Sequence, residues 1–434
     1  MGVVESEKVA LEVEIERLLP GGVGLAHAEG LTLFVSLAAP GDVLRVAIDR
    51  IQGKVGFASI VEILKPSPLR IEPPCPYFGR CGGCDFQQLN YEAQLNAKVE
   101  IIRDCLHRIA KIETPIDIPI TASPNEWHYR ARAMWQVDAN DKLLGYFERG
   151  TNRVCDVEYC AVLTPELEST LERVRSEFHG GDVPERLRDI EVVAGDEGVS
   201  VAPPIAGFKT DIVTRVIGGE TYHFSAEAFF QVNHGLLESL IAEALRNAGG
   251  GESAALAETT AAVPGDARTE SKRTTAIDLY SGVGLFTIPL ARRFDRVIGV
   301  EGSARATDFA RRNLEFAKRS SSPSVRDVSN DRLGNVQIST ARVGDWMKTH
   351  SGSIGPVDFL LLDPPRTGCE NRDIAGILAI RPARITYVSC DPATLARDLK
   401  KLVAGGYAMD SVAAFDMFPQ THHVETIAHL CRIT

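Results

Sequence analysis

Long apolar runs are missing from this chain of 434 residues. No uninterrupted stretch of ~18 or more apolar residues occurs, and no apolar signal region opens it, so nothing directs it to a bilayer or to export. The cytosol is the expected compartment, with no membrane partner. Positive charge is also scarce: 47 Lys and Arg stand against 58 Asp and Glu, a net charge of -11. That balance counts against broad non-specific nucleic-acid binding but says nothing about a local groove. One candidate groove lies between Arg45 and Arg80, where Arg45, Arg50, Lys54, Lys65, Arg70 and Arg80 face only Asp49, Glu62 and Glu72. Cysteine is plentiful by comparison. Nine in a chain of cytosolic type argue for metal or catalytic use rather than a disulfide framework. With 44% hydrophobic content, the length supports two or three domains with full-sized cores.

Residues 9–65 hold short β-type runs separated by turn formers such as Pro20 to Gly24 and Pro40 to Asp42, which predicts a small, nearly closed barrel over 1–66. Next comes Cys75, then Cys81-Gly-Gly-Cys84, in a loop rich in Gly and Pro that lets several thiolates converge. A fourth ligand must come from elsewhere, with Cys105, Cys155 and Cys160 as candidates. Cys105 falls inside a helix with an apolar face, and either Cys155 or Cys160 could close a tetrahedral set. All-cysteine ligation admits zinc or an iron-sulfur cluster. Residues 67–222 read as a mixed α/β central domain with a helix from Pro165 to Phe178. Alternation there puts Arg130 and Arg132 on one strand face. Asn233 is expected to cap an amphipathic helix that follows Gln231, and 249–275 and 320–334 read as flexible insertions.

The segment 223–434 alternates strands with helices, predicting a doubly wound sheet with a nucleotide-type ligand at its carboxyl edge. One strand ends in the turn Ser281-Gly282-Val283-Gly284, and an acid, Glu301, ends the next strand 17 residues beyond Gly284. In a dinucleotide fingerprint a third glycine would stand where Thr287 is, so S-adenosylmethionine and NAD(P) both remain candidates. Other strands run from Val336 to Val343, ending at Asp345, and from Val357 to Leu362, ending at Asp363. The strand through Val388 ends at Cys390, just before the helix start Asp391-Pro392. A helix N-terminus there favours a thiolate below the free-thiol pKa of about 8.5; the plainer reading is a small buried core cysteine.

FFQVN (229–233), DLYSGVG (278–284), DPPR (363–366), SCDPATLARDL (389–399) and HVE (423–425) together resemble the motifs of the RNA uracil-5-methyltransferases. The branch with an N-terminal TRAM barrel, an OB-like fold, and a four-cysteine 4Fe-4S site is the RlmD/RumA-like large-subunit ribosomal RNA enzymes. The resemblance implies a class I S-adenosylmethionine-dependent methyltransferase of Rossmann-like α/β fold, carrying that barrel and a mixed α/β central domain. It implies cluster ligands Cys75, Cys81, Cys84 and Cys160, and methyl-donor contacts at Gln231, Tyr280, Glu301, Asp345 and Asp363 beside Gly282 and Gly284. Leu285 departs from the pattern, standing where relatives often have a polar residue. Uracil carbon 5 is too weakly nucleophilic to take a sulfonium methyl until a thiolate adds at carbon 6, and Cys390 is the implied nucleophile. Glu425 is the implied base for the carbon 5 proton. The target base must leave its stack, with the barrel and the Arg-bearing strands holding the surrounding RNA. Expectation is therefore a monomer that makes 5-methyluridine in ribosomal RNA, with transfer RNA as the alternative. Two rival classes are an iron-sulfur NAD(P)-linked oxidoreductase, which leaves Cys390 and Glu425 without roles, and a non-catalytic RNA-binding module.

Overall fold

The structure, a computed structural model, describes residues 10–113, 117–181, 184, 186–208, 212–249, 274–320 and 333–433. The insertions expected at 249–275 and 320–334 lie almost wholly outside these residues.

Strands β1 (Ala10–Glu14), β2 (Arg17–Leu19), β3 (Val23–Ala28), β4 (Leu31–Val35), β5 (Val43–Gln52) and β6 (Val55–Lys65) form one six-stranded sheet in the order β1-β5-β6-β4-β3-β2. Period-two alternation turns Val13, Leu33, Val35, Leu44 and Val46 inward, and register shifts along β5 and β6 bend the sheet into a barrel-like shape. Asp42 closes its base. This buried carboxylate accepts N–H bonds from Ala39 (2.7 Å) and Ser67 (2.9 Å) and pairs with Arg70 at 2.6 Å. The expected basic groove is not an unopposed stripe: Arg70 serves Asp42, Arg45 pairs with Glu62, its register partner across β5 and β6, and Arg80 pairs with Glu148 at 3.1 Å.

Helix α1 (Tyr91–Cys105) starts at Asn90, whose side chain accepts the Ala93 N–H. A short strand, β7 (Ile120–Thr121), follows. Strands β8 (Arg132–Asp138), β9 (Leu143–Phe147), β10 (Val154–Asp156), β11 (Asp189–Ala194) and β12 (Val199–Ala202) make a five-stranded antiparallel sheet. Onto it α2 (Pro165–Gly180) packs Leu167, Leu171, Val174 and Phe178. A hairpin, β13 (Val213–Ile217) and β14 (Glu220–Phe224), leads to α3 (Leu237–Ala244). Asn233 is not a side-chain cap for α3. It is buried, and its amide donates to Ser123 Oγ at 2.9 Å, because its backbone bridges to Arg130 and turns the side chain inward.

The remaining elements are β15 (Thr275–Leu279), α4 (Thr287–Ala291), β16 (Arg296–Glu301), α5 (Ala304–Ser320), β17 (Val336–Thr340), α6 (Val343–His350), β18 (Phe359–Leu362), α7 (Asn371–Ile380), β19 (Arg384–Ser389), α8 (Pro392–Ala404), β20 (Tyr407–Phe415) and β21 (Glu425–Arg432). They form an eight-stranded sheet, β17-β16-β15-β18-β19-β21-β20-β7, parallel from β17 to β19 and antiparallel at β21. The strand order reverses between β15 and β18, which in open α/β sheets is where ligands bind. β17 stops at Thr340, earlier than the periodicity predicted, and Asp345 sits in the first turn of α6 rather than at a strand end.

Helix α1 and β7 belong to this sheet's surroundings: Ile101, Ile102 and Leu106 share one core with Leu395 and Leu399 of α8 and Ile385 of β19. The join also holds a fully buried ion pair, Lys98 with Asp416, whose ammonium also donates to the Phe418 carbonyl at 3.1 Å. Removing one partner strands the other charge. Lys98→Met is therefore expected to cost about 3–5 kcal/mol in chemical denaturation, and pairing it with Asp416→Leu should recover most of the loss.

Candidate active site

Four parallel strands end side by side at the carboxyl edge. Tyr280 follows β15, Glu301 ends β16, Asp363 follows β18 and Cys390 follows β19. Antiparallel β21 completes the row: Val388 pairs with Ile427 and Ser389 with Thr426, so the same register sets Cys390 opposite Glu425. The two residues lie 35 positions apart in sequence and become neighbours only through this ladder.

The Gly turn is built around carboxylates. Gly282 donates its N–H to Glu301 Oε2 (3.1 Å), and Ser303 N–H donates to Glu301 Oε1 (2.6 Å). Thr287, which stands where a dinucleotide fingerprint wants glycine, donates its hydroxyl to Asp278 Oδ2 at 2.5 Å. Asp278 is fully buried in β15, and its other oxygen has no hydrogen-bond partner. Burial, reinforced by the charges of Asp363 and Glu301, pushes its carboxyl up to about 7. Tyr280 adopts φ +61°, a conformation costing a non-glycine residue about 1–3 kcal/mol, with its hydroxyl bonded to Asp373 Oδ2 at 2.8 Å. At Gly282, φ +53°, a Cβ would meet nothing within 4 Å, so the turn borders open space.

Cys390 and Glu425 share a desolvated, negative setting. Burial first, then the charge of Glu425, pushes the Cys390 thiol up to about 12; Asp363 and Asp391 add to this and Arg366 opposes it. Burial and the neighbouring Asp363 likewise raise Glu425 well above the usual carboxylate range. The expectation that the helix start favours a thiolate is therefore corrected. Asp391 caps α8 with its own carboxylate, accepting the Thr394 N–H at 2.7 Å, and so fills the helix terminus with negative charge.

Helix α8 also holds the acid loop. Fully buried Asp398 accepts the Cys369 N–H (2.8 Å) and the Tyr387 hydroxyl (2.9 Å), while Arg397 donates to the carbonyls of Thr367 (2.9 Å) and Cys369 (3.2 Å). Gly368, at φ +70°, lies so close that a Cβ would meet Arg397 Nη2 at 2.5 Å and Asp398 Oδ2 at 2.6 Å. The loop bearing Asp363 and Arg366 is thus clasped by the helix that Cys390 precedes.

Other expected residues are dispersed. Asp345 is exposed and bonded to Arg372 at 2.8 Å. Gln231 is buried on the segment before α3, which Arg132 grips through the carbonyls of Ala226 (3.0 Å) and Ala228 (2.8 Å). Arg132 also pairs with Glu191, and Arg130 lines a pocket with four cysteines. Neither arginine presents the free cationic face that alternation suggested. Leu285 is buried, and its carbonyl accepts the Tyr222 hydroxyl at 3.1 Å.

That pocket gathers Cys75, Cys81, Cys84 and Cys160 with Arg130 and Tyr146. Cys155 is fully buried in β10 and is not part of its lining, and Cys105 packs in the core beneath α8. Burial first, with their cysteine neighbours adding to it, pushes Cys81 and Cys84 up to about 12. Among the described residues no group of three or more His, Cys, Asp or Glu side chains is arranged to hold a metal ion.

Comparison with known proteins brings these features under one chemistry. A family model described as tRNA (Uracil-5-)-methyltransferase matches residues 262–433. The 23S rRNA (uracil(1939)-C(5))-methyltransferase RlmD of Alkalilimnicola ehrlichii is 33% identical over 96% of this chain and 95% of its own length. That of Dechloromonas aromatica is 31% identical over 96% and 98%. The chain belongs to the RNA uracil-5-methyltransferase family. The crystal structure of Pyrococcus abyssi tRNA (uracil-54, C5)-methyltransferase in complex with S-adenosyl-L-homocysteine matches with a TM-score of 0.68 and 23% identity over 97% of this chain and all of that one, an agreement of fold.

For an S-adenosylmethionine-dependent methyltransferase the carboxylate-lined turn is apt. Asp278, Glu301 and Asp363 would repel a pyrophosphate and suit a cationic sulfonium, and Glu301 already occupies the turn N–H that a phosphate would claim. The dinucleotide alternative loses its footing here. Sequence reasoning gave no role to Asp278, Arg366, Asp398 or His423. An acid inside the apolar run AIDLY was the available signal for Asp278; the others sit within quoted motifs but act through contacts that no spacing reveals. His423 is half-buried, and desolvation with the nearby His422 and Arg366 pushes its imidazole down to about 3.

The raised thiol gives a direct test. In protein without ligands, alkylation of Cys390 should be slow at neutral pH and climb about tenfold per pH unit without levelling until near the raised pKa. A plateau near pH 8 by mass spectrometry would show an ordinary thiol instead.

Proposed function

We propose that this methyltransferase converts a specific uridine of large-subunit (23S) ribosomal RNA to 5-methyluridine through a covalent bond between Cys390 and the base. The observation that carries the reading is the place of Cys390 and Glu425, brought side by side at the ends of β19 and β21 and close to Asp363 and Arg366. Bound S-adenosylmethionine supplies an electrophilic methyl and a positive charge that offsets the carboxylate field. Cys390 gives up its proton to solvent and its sulfur adds to carbon 6, so that the double-bond electrons pass into an enolate and make carbon 5 nucleophilic. Carbon 5 takes the methyl group, and the sulfonium keeps the bonding pair as a neutral thioether. Glu425, ionised, then removes the carbon 5 proton, the carbon 5–carbon 6 double bond re-forms, and the thiolate leaves. Gln231, Tyr280, Gly282, Gly284, Glu301, Asp345 and Asp363 are assigned to the donor. Glu301 is pre-oriented by two N–H bonds, whereas Asp345 must exchange its bond to Arg372 for the ligand.

Cys75, Cys81, Cys84 and Cys160 are assigned to a 4Fe-4S cluster. In this pocket burial and neighbouring cysteines raise Cys81 and Cys84, an effect that a shared cation relieves, which is what cluster iron would provide. The methyl transfer needs no electron, so its part is structural. The 1–66 barrel is assigned as a TRAM domain, with 67–222 as the central RNA-binding domain, 223–434 as the methyltransferase domain, and the whole as a cytoplasmic monomer.

Ribosomal RNA is favoured because the relatives named for it are 31% and 33% identical over 96% of this chain, against 23% for the transfer-RNA enzyme of like fold. RNA containing 5-fluorouridine should form an adduct stable to denaturing gels, since fluorine cannot leave as a proton. Cys390→Ala should abolish it, and Glu425→Gln should accumulate adduct on ordinary uridine. A Cys390→Ala enzyme that methylates normally would refute the scheme. In nucleoside digests from a deletion strain, 5-methyluridine should disappear from ribosomal RNA; loss from transfer RNA alone would move the substrate and leave the chemistry. Protein isolated without oxygen should be brown, with about four irons and four sulfides per chain. Colourless active protein containing zinc would contradict the cluster.

A further inference from the structure

Between the end of β20 at Phe415 and the start of β21 at Glu425, residues 416–424 make a strap over the catalytic edge. Its fastenings come from far upstream. Lys98 holds Asp416 and the Phe418 carbonyl, and the Tyr129 hydroxyl donates to the Pro419 carbonyl at 2.9 Å. Gln94 exchanges two hydrogen bonds with Gln420, at 2.9 and 3.0 Å. The Gln420 carbonyl accepts the N–H groups of both Asp85 (3.1 Å) and Phe86 (3.0 Å), although Gln420 itself sits at φ +69°. The last fastening before Glu425 is Asp85: Oδ1 accepts the His422 N–H at 2.8 Å and Oδ2 meets His422 Nδ1 at 2.5 Å. The barrel closes on the same point, since a Cβ at Gly22 would meet His422 Cβ at 3.0 Å and Asp85 Oδ2 at 3.3 Å.

From His422 the path to the base is short and packed. The His423 ring lies 4.1 Å from the His422 ring and 5.8 Å from Phe418, and Val424 is fully buried before Glu425 begins the strand. Cys390 is fixed independently, by the β19 ladder and the Asp391 cap. We propose that Asp85, the residue following Cys84, is a positioning residue for proton removal, clamping the strap through His422 so that Glu425 is held at the right place beside the adduct. This inference rests on Glu425 being the base. It gives the cysteine loop a part in one step of the cycle, and it predicts that the donor site and the nucleophile are left alone.

Full-length Asp85→Asn and His422→Leu should lower kcat about tenfold to a hundredfold, as small misplacements of a reacting group do, with donor KM within about twofold of the parent. Both should accumulate methylated Cys390 adduct on ordinary uridine RNA, because addition and methyl transfer outrun elimination. His422→Asn can present an amide N–H where Nδ1 lies and should retain much more turnover than His422→Leu. Parental kcat in Asp85→Asn or His422→Leu, loss of kcat without adduct build-up, or equal damage in His422→Asn and His422→Leu each overturns the clamp. Parental turnover in Glu425→Gln overturns instead the base assignment on which the clamp rests, and the absence of any adduct from the parental enzyme on 5-fluorouridine RNA overturns the covalent scheme; either takes the clamp with it.

Discussion

Negative charge held out of water next to a thiol governs this structure. Asp278, Asp363 and Glu425 all carry carboxyls raised by burial, and the cation acting on Cys390 and Glu425 is the exposed Arg366. Such an edge is poorly neutralised until a ligand brings positive charge. The same desolvation that makes the resting thiol inert makes it responsive. A cation entering the carboxylate field favours the anionic forms of these acids and of the Cys390 thiol.

A site where several desolvated acids crowd together needs rigid support, and the support comes from the helices on one face of the sheet. Helix α8 follows Cys390 directly and, through Arg397 and Asp398, clasps the loop of Asp363 and Arg366, so Cys390 and the acid loop form one body. Tyr280 accepts a strained backbone at the head of the Gly turn and is anchored to Asp373, which also accepts the Glu370 N–H at 2.9 Å. Strain at such a point is tolerable only where the surroundings over-determine it.

The cysteine pocket and the catalytic edge are not separate modules. The loop that carries Cys81 and Cys84 continues into Asp85 and Phe86, which bond the strap before Glu425, and then into α1, whose Lys98 is buried against Asp416. The cysteine loop is therefore joined to the catalytic edge through packing and hydrogen bonds.

The sequence by itself determined the alternation of strands and helices in the last domain, the strand-rich start, the strand-end places of Cys390, Glu301 and Asp363, and the grouping of Cys75, Cys81 and Cys84, because these follow from hydrophobic period and turn chemistry, which are local. It misread what depends on partners. Arg130 and Arg132 looked like a binding face and proved to be internal, Asn233 looked like a cap and bonds Ser123, and the helix start at Asp391 looked like an activator and is filled by its own carboxylate. Spacing along the chain could not choose between Cys155 and Cys160; in the structure Cys155 is fully buried in β10, whereas Cys160 lines the pocket. Only the tertiary structure set Glu425 opposite Cys390 and Asp85 against His422. Both contacts join segments distant in sequence through ladder register and loop packing, and the energies that tune the thiol there, desolvation and charge at close range, exist only once those segments have met.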